Sequence, residues 1–89
     1  MLGIMVAIVV ELYTRRGCHL CDDAKAALVA VRAARPFELV ETDVDSDPAL
    51  QAAYGLRVPV VRAAGQQVSE LRFDAAARAA LHRCLEGAP

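Results

Sequence analysis

Residues 4–13 are almost continuously apolar and rich in valine and isoleucine, interrupted only by Glu11. Runs of this kind form strands covered on both faces, as in a parallel or mixed sheet flanked by helices. A central first strand is therefore expected. Thr14-Arg15-Arg16-Gly17 is a short polar loop. Beyond it Ala24, Ala27, Leu28, Val31 and Ala34 recur at helical spacing, with Asp23, Lys25 and Arg32 on the polar side, which predicts a helix over 18–34. Pro36 stops that helix, and residues 37–43 have the partly alternating pattern of a second strand.

Ser46 or Asp47 caps a short second helix whose first turn accepts Pro48, and Gly55 is expected to end it in the left-handed conformation. Residues 58–63 read as a third strand, 64–67 as a turn and 68–73 as an alternating fourth strand, so the last two strands form an antiparallel hairpin. Asp74 then caps a final helix with Ala77, Leu81, Cys84 and Leu85 on one face and Arg78, His82 and Glu86 on another; Gly87-Ala88-Pro89 ends it. The order β-α-β-α-β-β-α, without repeats or linkers, predicts one α/β domain over 1–89, with three helices against a four-stranded sheet.

Composition narrows the functional classes. At 89 residues the chain supports one core, and 56% hydrophobic against 24% charged residues excludes disorder. A net charge of −1 supplies no field to recruit nucleic acid or an anionic membrane. The only aromatic side chains, Tyr13, Phe37, Tyr54 and Phe73, leave few platforms for stacking bases or sugars. Neither nucleic acid nor membrane is expected as a partner. The apolar start lacks a basic leader and a cleavage-site pattern and is too short to span a bilayer; Met5 is an alternative start, because no motif needs what precedes it. Three cysteines, Cys18, Cys21 and Cys84, are too few for a secreted scaffold held by several disulfides. A cytoplasmic protein with a redox or metal role is the expectation.

The chemistry concentrates in Cys18-His19-Leu20-Cys21, just after a buried strand and at the start of a helix. Two cysteines three apart at a helix start lie on one side and can close a disulfide. Unpaired N–H groups and the positive end of the helix dipole favour a thiolate at the first. Cys18 is thus the expected nucleophile and Cys21 the resolving thiol; two buried, unreactive cysteines are the alternative. Arg15 and Arg16 favour the thiolate, whereas Asp22 and Asp23 oppose it. His19 either supports the thiolate or simply faces solvent.

Competing constellations fare worse. Zinc on Cys18, Cys21, His82 and Cys84 fails on geometry, because residues two apart on a helix point about 200° apart. No metal site is expected, and Cys84 reads as a small core residue, with a disulfide through a frayed helix end left open. Asp43-Val44-Asp45-Ser46-Asp47 has the spacing of half a calcium loop, but Pro48 and Tyr54 stand where glycine and glutamate are needed, so these acids read as a strand end and a helix cap.

The run from Glu11 to Cys21, together with Tyr54-Gly55-Leu56-Arg57-Val58-Pro59, resembles the thioredoxin superfamily, and within it the short bacterial glutaredoxin-like proteins, over nearly the whole length. The resemblance implies that Pro59 is cis and faces the cysteine pair, that Val58 offers its backbone to an extended thiol substrate, and that the sheet is ordered second, first, third, fourth strand. It also matches Arg15 to the basic residue that glutaredoxins aim at a glutathione carboxylate; a solvated loop arginine is the alternative. Glutaredoxins carry a Gly-Gly pair after the fourth strand. Here that stretch is Glu70-Leu71-Arg72-Phe73-Asp74, where Leu71 and Arg72 crowd a close backbone approach while Asp74 keeps the acid. Glutathione is therefore a co-substrate with an incomplete binding motif, and no tightly bound cofactor is expected.

The resulting expectation is a monomeric thiol–disulfide oxidoreductase acting on a disulfide-containing protein or a small thiol, its electron donor left open. Two alternatives stand beside it: a redox-inactive protein-binding module of the same fold, and a glutathione-dependent iron–sulfur carrier.

Overall fold

The computed structural model describes residues 8–86, so the predicted strand start at 4–7 and the terminal Gly87-Ala88-Pro89 lie outside the described residues. The elements are β1 (Val9–Thr14), α1 (His19–Ala34), β2 (Glu38–Asp43), a 3-10 turn (Val44–Ser46), α2 (Pro48–Tyr54), β3 (Val60–Ala63), β4 (Gln66–Glu70) and α3 (Ala75–Glu86). The fold is α/β. One four-stranded mixed sheet runs in the order β2-β1-β3-β4, with β1 parallel to β2 and antiparallel to β3, and β3 antiparallel to β4. Order and connectivity are those expected.

Strand alternation explains where the core sits. Val10 and Leu12 on β1 and Val61 and Ala63 on β3 point to one face, all fully buried. There they form a single cluster with Ala24, Leu28 and Val31 of α1, Phe37, and Leu81 and Leu85 of α3. Each such leucine contributes about 1.5–3 kcal/mol by leaving water. The other face of β1 departs from the expectation of a strand covered on both sides. Val9 is 40% exposed, Glu11 and Tyr13 are half-buried, and α2, with only seven residues and none of them buried, is the helix on that side. Two long helices share one face, so β1 is sealed once rather than twice.

Local chemistry sets the element ends. Asp47 is the cap of α2, its Oδ1 accepting the Ala49 N–H at 2.7 Å, with Pro48 in the first helical position. Ser46, the other candidate cap, donates its hydroxyl to the Asp43 carbonyl instead. Gly55 does not take the expected left-handed conformation: its φ of −55° and ψ of −35° are helical. Its need for glycine is steric, because a Cβ there would crowd the Gln51 carbonyl oxygen. The β3–β4 connection is shorter than expected, since Ala63 pairs with Gln66 around Ala64 (φ 52°) and Gly65 (φ 76°), a two-residue turn with both central φ positive. A bulge inserts Val68 between the Val61–Ser69 and Arg62–Gln67 pairs, and Leu71 at φ 71° ends β4 short of Phe73. β3 begins two residues after its predicted start, because the segment entering it is Val58-Pro59 and proline has no N–H for the ladder. Asp74 caps α3 as expected, accepting the Ala77 N–H at 3.0 Å, and Cys84 is half-buried against the edge of the core.

Candidate active site

α1 begins where the polar loop after β1 turns back over the sheet. Cys18 is its N-cap residue, in extended conformation, with its sulfur accepting the Cys21 N–H at 3.1 Å. Its carbonyl accepts the Asp22 N–H at 3.1 Å. The two cysteines are joined as a disulfide with Cα atoms 5.2 Å apart, inside the ordinary range of roughly 4.4–6.8 Å. They differ in burial: Cys21 is 2% exposed in the first turn, whereas Cys18 is half-buried at the N-cap. After reduction, the Cys21 N–H and the helix dipole favour a negative charge on the Cys18 sulfur. His19, exposed, is the first residue of α1.

The second half of the site enters from β3. The Val58–Pro59 peptide bond is cis. Pro59 is buried and Val58 half-buried, immediately ahead of Val60, which pairs with Tyr13 at the end of β1. The chain that leads to Cys18 and the cis-proline segment therefore lie side by side at one end of the sheet. Val60 also pairs with Glu70, the last residue of β4 and four residues before Asp74. The Asp74 carboxylate is engaged in capping α3.

Arg15 is the residue whose surroundings differ most from a solvated loop arginine. Its Nε and Nη2 donate to the two carboxylate oxygens of Asp45 at 3.0 and 2.9 Å, and its Nη1 donates to the Gly55 carbonyl at 3.1 Å. The guanidinium holds the Asp45 carboxyl below the usual carboxylate range, helped by the Gln51 Nε2, which donates to the same acid at 2.9 Å. Asp43 caps the 3-10 turn by accepting the Asp45 N–H at 2.9 Å. The strand-end and cap reading thus fits Asp43 and Asp47, while Asp45 has a partner 30 residues away that no local pattern reveals.

Two further groups surround the site. Tyr13 and Tyr54 stack with ring centroids 4.4 Å apart, and Arg57 lies over the Tyr54 ring at 5.4 Å. Burial, and then the bond to Glu11, push the Tyr13 hydroxyl above its ordinary pKa. Arg57 also binds Glu70 at 3.1 Å, and this bond, with another from Gln67, lowers the Glu70 carboxyl. On the β2 side of the cysteines an open cleft of about 300 Å³ is lined by Thr14, Gly17, Cys21, Asp22, Glu41 and Asp43, among others. Among the described residues, no group of three or more histidine, cysteine or acidic side chains is arranged to hold a metal, and no helix is long and apolar enough to cross a membrane.

Residues 9–83 match the glutaredoxin-like domain (DUF836). The chain belongs to that glutaredoxin-like family. An uncharacterized protein of Mycobacterium tuberculosis is 34% identical over 70 residues, spanning 73% of this chain and 72% of that one. A crystal structure of an X. campestris protein is 41% identical, with a TM-score of 0.63 and coverage of 90% of this chain and 99% of the other. A solution structure of a Nitrosomonas europaea protein aligns with a TM-score of 0.73 at 28% identity, over 91% and 98% of the two chains. A thioredoxin from Halobacterium salinarum, at 22% identity and a TM-score of 0.64, shares the fold. As a glutaredoxin-like protein with a Cys18–Cys21 pair, the chain has a thiol redox role in general terms.

One segment separates this glutaredoxin-like chain from the Gly-Gly pattern. Leu71 adopts the left-handed φ that glycine takes freely, with its side chain 49% exposed and its N–H donated to the Arg57 carbonyl at 3.0 Å.

Proposed function

We propose that this protein is a cytoplasmic thiol–disulfide oxidoreductase that reduces disulfides in proteins, or mixed disulfides, through Cys18 as nucleophile and Cys21 as resolving thiol. The supporting observation is the unequal placement of the pair: Cys18 is half-buried at the N-cap of α1, whereas Cys21, one turn inside, is 2% exposed. The Cys18 thiolate attacks one sulfur of the substrate disulfide; a Cys18–substrate S–S bond forms, the substrate S–S bond breaks, and the departing thiolate takes a proton. Deprotonated Cys21 then attacks the Cys18 sulfur, closing Cys18–Cys21 and releasing the second substrate thiol. The substrate gains two electrons and two protons, and the pair becomes oxidised until an external thiol donor reduces it again.

Val58 and Pro59 border the approach to Cys18, and Val58 is the backbone we assign to an extended substrate segment. We assign His19, exposed beside Cys18, to the substrate-facing rim. Glutathione is the weaker candidate for a co-substrate. Arg15 is engaged with Asp45 and Gly55, Asp74 caps α3, and the Leu71 N–H is already donated. A monomer with no tightly bound cofactor suffices for this chemistry.

The test is turnover of a protein disulfide and of a glutathione mixed disulfide by wild type, Cys18→Ser and Cys21→Ser. Loss of turnover in Cys18→Ser and a substrate adduct trapped on Cys18 in Cys21→Ser are expected. Undiminished reductase activity in Cys18→Ser would refute the proposal.

A further inference from the structure

Four residues from three separate parts of the chain close a ring of polar contacts beside the cysteine pair. The Arg15 guanidinium bonds both oxygens of Asp45. The Asp45 Oδ1 accepts from the Gln51 Nε2 at 2.9 Å, the Gln51 carbonyl accepts the Gly55 N–H at 2.9 Å, and the Gly55 carbonyl accepts from Arg15 at 3.1 Å. The main chain of Arg15 is tied to the nucleophile in turn, its carbonyl accepting the Cys18 N–H at 3.3 Å. Gly55 lies three residues ahead of Val58 on the path into the cis-proline segment. A Cβ on Gly55 would stand 3.1 Å from the Arg15 Nη2 and 2.5 Å from the Gln51 carbonyl oxygen, so the ring closes only around glycine.

From this geometry we infer that Arg15 is a positioning residue, locking the loop that presents Cys18 to the segment that presents Val58 and Pro59. A planar guanidinium can do this because its fork spans a carboxylate on one edge and keeps another N–H for a carbonyl; a lysine ammonium supplies charge without that geometry. The pair is one-third exposed on each side, at 34% and 39%, so its importance lies in where it holds the backbone and not in its contribution to overall stability. The same commitment removes Arg15 from the task of receiving a carboxylate ligand, since three of its donors are already used.

The consequence for turnover rests on the oxidoreductase reading above, whereas the lock itself does not. Both are separated by studying Arg15→Gln, Arg15→Lys, Asp45→Asn and the Arg15→Gln/Asp45→Asn double variant. Three readouts apply: kcat and KM on a protein disulfide and on a glutathione mixed disulfide, the rate of Cys18 alkylation against pH, and amide exchange. Each single variant is expected to lose roughly tenfold in kcat on both substrates, since displacing a reacting group by about 1 Å can cost about 100-fold. The double variant should be no slower than the slower single, Arg15→Lys should not rescue, and the Cys18 alkylation profile should move in the same direction in all. Amide exchange should speed up together in 16–20 and in 55–58.

An Arg15→Gln variant that raises KM for the glutathione mixed disulfide alone, with Asp45→Asn unaffected, would overturn the inference in favour of a ligand-binding arginine. Variants that only melt lower, with unchanged kcat, alkylation profile and exchange, would overturn it in favour of an ordinary surface pair. If wild type itself does not turn over, the oxidoreductase reading fails, and alkylation and exchange still decide the lock: coupled changes support it and independent ones refute it.

Discussion

Gly55→Ala sets two physical effects against each other. The backbone at Gly55, with φ −55° and ψ −35°, is one that alanine prefers, and by itself the substitution stabilises by about 0.4–1 kcal/mol through the unfolded chain. Against this, the new methyl would lie 2.5 Å from the Gln51 carbonyl oxygen, a backbone atom that already accepts the Gly55 N–H, and 3.1 Å from the Arg15 Nη2. Relief requires moving Gly55 off the end of α2 or pushing the guanidinium aside. Overpacking of this kind costs about 1–3 kcal/mol, so steric cost wins by about 1–2 kcal/mol net. For a domain of this size each kcal/mol lowers the melting temperature by roughly 4–8 °C, which predicts a drop on the order of 10 °C. The assay is thermal and urea unfolding of the oxidised protein, alone and in an Arg15→Gln background, where part of the clash is removed and the cost should shrink. A Gly55→Ala protein that melts at or above wild type would refute the reasoning, because it would mean that glycine is not required by contact.

Other expectations follow from the same structure. Leu81→Ala, at a fully buried position of α3, should cost about 2–5 kcal/mol in urea unfolding, whereas Cys84→Ala at the half-buried edge should cost well under half as much. Arg15 depresses the Asp45 carboxyl, so the stability it lends is present above the unfolded value of about 3.9 and is lost as pH falls through the lower folded one. Wild type and Asp45→Asn should therefore converge in melting temperature on acidification below about pH 4. Leu71→Gly relieves a left-handed penalty of about 1–2 kcal/mol against a glycine entropy cost of about 0.5–1 kcal/mol. It should melt no lower than wild type, and a clear loss would show that the exposed Leu71 side chain packs.

Much of this architecture is written in local patterns. The valine-rich first strand, the helical spacing of Ala24, Leu28 and Val31, and the caps at Asp47 and Asp74 each follow from interactions within a few residues, and the element order follows from them. The cysteine pair is legible for the same reason, since its chemistry depends on neighbours three positions apart. What the pattern does not reveal is long-range. One-sided sealing of β1 depends on where α1 and α3 come to rest, and a continuous apolar run looks the same whether one face or both are covered. The bulge at Val68 displaces the fourth strand because alternation alone cannot register an extra residue. Gly55 reads as a left-handed helix end when only its place after α2 is considered, and as a steric requirement once Arg15 is brought beside it. Arg15 and Asp45, 30 residues apart, carry no signal that ties them together before the sheet is formed.

The central claim is that Cys18 and Cys21 cycle as a redox pair, and a redox titration in glutathione buffers, followed by mass, tests it most directly. The account predicts one two-electron transition in which the protein loses two hydrogens as Cys18–Cys21 closes, absent in both Cys18→Ser and Cys21→Ser and unaffected by Cys84→Ala. A pair that stays in one state across the whole range of buffer potentials, or that accumulates only a stable glutathione adduct without closing, would contradict it.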